Sequence, residues 1–300
     1  MKPFYFPLLI ALCFFGCNKE EKSSDLNVKG NQILIGEIDK IYSEILGENR
    51  KVWVHVPKNA NKAKTYPVVY LLDGPGHFYS VVGMIKQLST TNGNTVLPEM
   101  IVVAIPNTDR ARDLTPSEDV NLKHSDGTII KSGGGDRFLD FIEKELIPYI
   151  DGKYPTAPYR TYIGHSFGGL SVIQALVTRT QLFNNYIAID PSLWWDNREF
   201  LDAAASLLSV KSFENKSLFV GIANTMSDSM DIERVRSDTA SATRHIRSIL
   251  QFVESMDKKE NGLRFDWKYY ENDDHGSVPL ITEYDAMRFL FEWHQFEEIS

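Results

Sequence analysis

Tyr159-Arg160-Thr161-Tyr162-Ile163-Gly164-His165-Ser166-Phe167-Gly168-Gly169-Leu170 joins an extended, β-branched and aromatic run to a helical one. Downstream, Leu170, Val172, Ile173, Leu176 and Val177 recur at helical spacing. A serine at a strand-to-helix turn, with glycines two residues to either side, predicts a nucleophile elbow. Such a turn needs a strained backbone at the serine, and side chains at the flanking positions would collide. It lifts the hydroxyl above the sheet edge and aims the Phe167 N–H and the helix N-terminus at a developing oxyanion. The five-residue pattern alone also fits a plain glycine-rich βα turn. Its strand and helix context and its downstream partners favour the elbow.

Working outward, Gln32–Gly36, Lys51–Val56, Tyr66–Leu72, Met100–Ile105, Tyr186–Ile189, Leu218–Ile222 and Phe265–Tyr270 read as strands. Helices are expected over Phe78–Leu88, from Asp136 through Leu146, over about Asp231–Met256, and over about Ile281–Phe296. The continuous apolar runs at Tyr66–Leu72 and Met100–Ile105 suit strands buried on both faces. Alternating strands and helices imply an α/β domain: a mostly parallel sheet with helices on both faces. Pro106–Gly135 lacks periodicity, and a loop of that length is usually functional or disordered.

Three hundred residues with 43% hydrophobic content can bury a full core. The 32 basic against 40 acidic residues, net −8, argue against nucleic acid as the main partner. Lys2 followed by the apolar Phe4–Phe15 reads as an export signal over residues 1–16, too short to span a bilayer. Gly16-Cys17 and the polar run from Asn18 resemble a bacterial lipoprotein box. Cys17 would then be the lipidated first residue, with residues 17–31 a linker and 32–300 the hydrolase domain. An ordinary signal peptide cut nearby is the alternative. Both cysteines, Cys13 and Cys17, lie in this N-terminal segment, so cysteine catalysis and thiolate metal sites are excluded from the body of the chain.

A serine hydroxyl needs an adjacent base, itself held by an orienting group. Hydrolases of this architecture run serine, acid, histidine along the chain. Of seven histidines, only His245, His275 and His294 follow late enough, and only His275 lies in a loop. His245 and His294 fall in helical stretches and read as surface or core residues. His77 is a second-rank candidate, and His165 should point away from Ser166. The acid is expected after the Leu218–Ile222 strand: Asp231, where a helix begins, with Asp228 as rival. An N-cap is the ordinary use of such an Asp. The second oxyanion donor is expected in Asp73-Gly74-Pro75-Gly76-His77. Pro75 has no N–H, so Gly74, Gly76 or His77 must supply it beside Phe167. Trp194-Trp195, after Asp190-Pro191-Ser192-Leu193, could wall an apolar or sugar-stacking pocket, and Arg110 could orient a polar substrate.

Tyr70-Leu71-Leu72-Asp73-Gly74, Phe138–Ile142 with Glu145-Leu146-Ile147-Pro148, the elbow, Asp190–Trp195 and His275-Gly276 together resemble the putative esterase family of α/β-hydrolases. That group includes esterase D-like, feruloyl, acetylxylan and ferric-siderophore esterases, and the resemblance covers about residues 30–296. It implies the α/β-hydrolase fold, Ser166 as nucleophile, His275 as base, and either an acidic third member or a bare Ser-His pair. The expectation is a cofactor-free, metal-free serine esterase acting through an acyl-enzyme on a small-molecule or glycan-linked ester. It would be lipid-anchored on the periplasmic or cell-surface side of a bacterial membrane. Two alternatives share these residues: an acyltransferase, and an inactive glycan- or siderophore-binding lipoprotein.

Overall fold

The computed structural model describes residues 33–58, 60, 64–227, 229–256 and 260–294. The proposed signal peptide, Cys17 and the whole linker lie outside them, as does Asp228. From Ile35 onward the described residues form one compact unit. Among them, no helix is long and apolar enough to cross a membrane.

Among the described residues, eight strands make one sheet. They are β1 (Glu37–Ser43), β2 (Glu48–His55), β3 (Tyr66–Leu71), β4 (Ile101–Ala104), β5 (Thr156–His165), β6 (Asn185–Ile189), β7 (Lys216–Ala223) and β8 (Leu263–Tyr270). Their order is β1-β2-β4-β3-β5-β6-β7-β8. The β1/β2 and β2/β4 pairs are antiparallel, and all others are parallel. This is the mostly parallel α/β-hydrolase sheet expected from the sequence.

Helices α1 (Gly74–Ser89), α2 (Arg110–Leu114), α3 (Gly135–Phe141), α4 (Ile147–Lys153), α5 (Phe167–Thr178), α6 (Glu199–Val210), α7 (Ile232–Val235), α8 (Arg244–Met256) and α9 (Val278–Leu290) fill the connections. The two-residue alternation of the strands divides the core. Val69, Leu71, Ile163, Ile187 and Phe219 face α1 and α9 through Val81, Val82, Ile85, Met287 and Leu290. Val68, Tyr70, Tyr162, Tyr186 and Val220 face the opposite layer, with Leu170, Ile173, Ile249 and Phe252. Both faces are covered, so the central strands read as uninterrupted apolar runs.

Two expected elements differ. The Gln32–Gly36 run is not the first strand: Ile33 and Leu34 are exposed, and pairing begins at Glu37. The helix expected over Asp231–Met256 breaks into α7 and α8. Between them Asp238 accepts from the Thr239 and Ala240 N–H groups and from the Thr243 hydroxyl, so local side-chain bonds replace helical ones.

Candidate active site

Ser166 stands where β5 passes into α5, at φ 60° and ψ −115°. A Cβ on Gly164 would come within 2.4 Å of the Gly168 carbonyl, and one on Gly169 within 3.0 Å of the Ile189 carbonyl oxygen. Only glycine permits that closeness, and the neighbouring strand holds the turn. Ser166 N–H donates to the Ile189 carbonyl at 2.9 Å, and the Ser192 N–H donates to the Ser166 carbonyl at 3.1 Å. The Ser166 hydroxyl meets the Ser192 hydroxyl at 3.3 Å.

His275 lies in the turn between β8 and α9. Its ring centroid is 4.4 Å from that of His165, the residue before the serine. His165, expected to point away from Ser166, packs its ring on His275. Burial, with the like charge of His275, pushes its imidazole down to about 4. It is a neutral packing surface for the second ring at ordinary pH.

The carboxylate that orients His275 is Asp190, which was not among the expected acids. It follows β6 with a left-handed φ of 41° and is completely buried. Its Oδ2 accepts from His275 Nδ1 at 2.5 Å and from His245 Nε2 at 2.8 Å, while Oδ1 accepts the Ala223 N–H at 3.1 Å. Burial alone would raise its pKa. The two imidazoles outweigh burial and hold the carboxyl well below the usual range. His275 spends only Nδ1 on this bond among the described residues, leaving Nε2 open for a proton from the serine side.

Asp231 does not fill this role. It caps α7, accepting the Glu233 and Arg234 N–H groups at 3.1 and 2.8 Å, and pairs with the Arg234 guanidinium in solvent. The segment after β7 thus uses its acid locally. Asp190 closes the apolar run Tyr186–Ile189 one strand from the elbow, a placement that an ordinary strand-end aspartate shares. His245 lay hidden in the amphipathic pattern of α8, where Ile246, Ile249, Phe252 and Val253 face the core.

The oxyanion loop also departs from expectation. Gly74 donates its N–H to the Ile105 carbonyl and Gly76 to the Asp73 carbonyl, so both are spent. His77 stands further into α1. Among the described residues, the N–H groups of Phe167 and Asp73 take no partner. Asp73 sits at φ 52° as the residue before α1. Its carboxylate is gripped by Arg110 through Nε at 2.7 Å and Nη2 at 2.9 Å, and by Asn107 at 2.5 Å. Burial would raise its pKa, but Arg110 outweighs burial and lowers it. Arg110 also reaches the His165 carbonyl and lies over the Phe167 ring. It braces the two halves of the site rather than extending freely toward substrate, and the supposed structureless loop carries α2 to bring it there.

Trp195 is fully buried, with its indole N–H on the Ser117 carbonyl and hydroxyl, so it supports the pocket from behind. Trp194 is partly exposed, 6.4 Å from the Phe167 ring and capped by Arg244. These two rings form the aromatic wall beside Ser166. Asp190, His245 and His275 bring one ligand-type atom each within 4.8 Å of one another, and Asp190 Oδ2 accepts both imidazoles. The arrangement suits proton relay from a hydroxyl through an oriented imidazole, with two free N–H groups to receive an oxyanion.

Comparison with known proteins bears on this geometry. Residues 43–271 match the model of a family described as putative esterase. The chain is 29% identical over 255 residues to a ferri-bacillibactin esterase of Bacillus subtilis, a match covering 81% of this chain and 85% of that one. It is 33% identical over 159 residues to a siderophore enterobactin esterase of Emericella nidulans. That match covers 49% of this chain and about half, 52%, of the relative's length. Among solved structures, an IroE-like serine hydrolase from Shewanella oneidensis superposes with a TM-score of 0.75 at 34% identity, covering 86% of this chain and 80% of that one.

Proposed function

The chain belongs to the putative esterase family of α/β-hydrolases, and from that premise we propose that it is a serine esterase whose substrate is a siderophore-type ester. The observation that carries this is Asp190 on His275 beside a serine held at φ 60°. A strained elbow with a carboxylate-oriented imidazole has no use in an inert binding protein. The substrate class rests on the relatives named for siderophore esters and on the Phe167–Trp194 wall, which suits a flat aromatic acyl group.

In this reading substrate displaces the Ser166 hydroxyl from Ser192 and turns it onto His275, a tightening that apo sites commonly require. Oγ attacks the ester carbonyl while His275 Nε2 takes its proton, and Asp190 keeps Nδ1 protonated and steadies the imidazolium. The Phe167 and Asp73 N–H groups receive the oxyanion. His275 then protonates the leaving alcohol, and water resolves the acyl-enzyme. The test is a panel of activated esters of graded acyl length beside a siderophore ester. Ser166→Ala should lower turnover of every active substrate by several orders of magnitude. A serine-reactive phosphonate should add one adduct, on Ser166. An adduct elsewhere or an undiminished mutant would refute the proposal.

Export and lipidation at Cys17 complete the proposal. They rest on the Lys2, Phe4–Phe15 and Gly16-Cys17 pattern and on the polar segment that follows it.

A further inference from the structure

The catalytic pair is not the only carboxylate-oriented imidazole in this site. His77 lies in the first turn of α1, just past the oxyanion loop. Its Nδ1 is 2.9 Å from Oε1 of Glu283, a fully buried carboxylate on α9. The side chain of His77 keeps 16% of its surface exposed, and its Nε2 takes no hydrogen bond among the described residues. The ring stands 6.2 Å from that of His165, which in turn stands 4.4 Å from His275. His165 thus separates two imidazoles, each fixed through Nδ1 by a buried acid.

A buried carboxylate is costly unless a partner justifies it, and here the partner is a ring left with one open edge. Burial raises the Glu283 carboxyl. Burial would lower His77, but the bond and charge of Glu283 outweigh it and raise the imidazole. A proton shared between Nδ1 and Glu283 Oε1 leaves Nε2–H as the open donor edge of the ring. Asp73 favours that positive charge and Arg110 opposes it. His275 serves the leaving alcohol, and the Asp73 N–H holds the carbonyl oxygen. His77 stands in the first turn of α1, just past that Asp73 N–H, with its partly exposed ring near His165.

We infer that His77 is a specificity-determining residue. Through Nε2–H it would engage an acceptor oxygen, such as an amide carbonyl or a phenolate, carried by the acyl group near the scissile carbonyl, with Glu283 as its positioning residue. This rests on the proposed esterase reaction at Ser166 and adds the acyl-side group the site selects.

The test compares two p-nitrophenyl esters of matched shape, N-acetylglycyl and isocaproyl, of which only the first carries the acceptor oxygen. The readout is the ratio of their kcat/KM values, alongside thermal melting. His77→Phe should lower that ratio about tenfold, the loss of one hydrogen bond to a charged donor, and His77→Gln, which keeps an N–H, should restore part of it. Glu283→Gln, isosteric and expected to lower the ratio mainly through KM, provides the same readout should the aromatic variant fail to fold. A ratio unchanged within twofold, with both esters slowing together, would overturn the inference. Failure of the underlying reaction would look different: Ser166→Ala would keep turning over both esters.

Discussion

Asp190 Oδ2 receives two imidazole N–H groups, so removing its charge affects both the tautomer of His275 and the seat of His245. Asp190→Asn should lower kcat by about 10³–10⁴-fold with a far smaller effect on melting temperature, since a misoriented imidazole leaves the core intact. Asp231→Asn should stay within about twofold of wild type, because Asn caps a helix as well as Asp does. Steady-state kinetics on both variants checks this, and a larger loss for Asp231→Asn would return the role to the segment after β7. Ser166 and His275 were legible in the sequence because a nucleophile elbow imposes a local pattern and a late histidine in a turn is rare. Asp190 was not legible as an acid. Its partners lie 55 and 85 residues away, and nothing near it in the chain distinguishes a triad acid from a strand-end aspartate. Asp73 N–H was missed for a related reason: which amides of the loop are already spent depends on Ile105 across the sheet.

Among the elements, the β5–α5 junction tolerates least. A methyl at position 164 meets Gly168 backbone atoms at 2.4 Å, and backbone cannot yield as a side-chain tip can. Gly164→Ala should therefore destabilise the fold by about 1–3 kcal/mol or more and, by shifting the elbow, lower kcat about a hundredfold. Gly83 offers the contrast: a Cβ there touches nothing within 4 Å, and it sits inside α1. Gly83→Ala should stabilise by about 0.5–1 kcal/mol. Chemical denaturation of both variants measures the difference, and equal responses would contradict the packing argument. The central strands were legible because burial on both faces makes them apolar throughout. β1 was not, because its inward face presents Asp39, bonded to Lys153, Tyr149 and Tyr154, while Ile38 and Tyr42 are exposed. The break between α7 and α8 was missed because apolar periodicity persists across Ser237–Ala240 while the local hydrogen bonds of Asp238 end the helix.

For the whole molecule, parallel strands gather the proposed catalytic groups at their carboxyl ends, where β5, β6 and β8 deliver Ser166, Asp190 and His275 to one edge. Where that edge works depends on the proposed anchor. Two or more acyl chains hold a protein at a membrane where one is marginal. Cys17→Ser should release the protein from the membrane fraction or leave it uncleaved, with ester turnover unchanged once solubilised. Intact-mass analysis of the wild type should find a lipidated Cys17 as the first residue, and a mature N-terminus elsewhere would rule the anchor out. Since the relay acid follows β6, the segment from Ser229 to Ala240, beyond β7, bears none of the catalytic charges. Val235 ties it to the core and Arg236 ties it to Glu254, so its exposed positions can vary in sequence while the relay keeps its geometry.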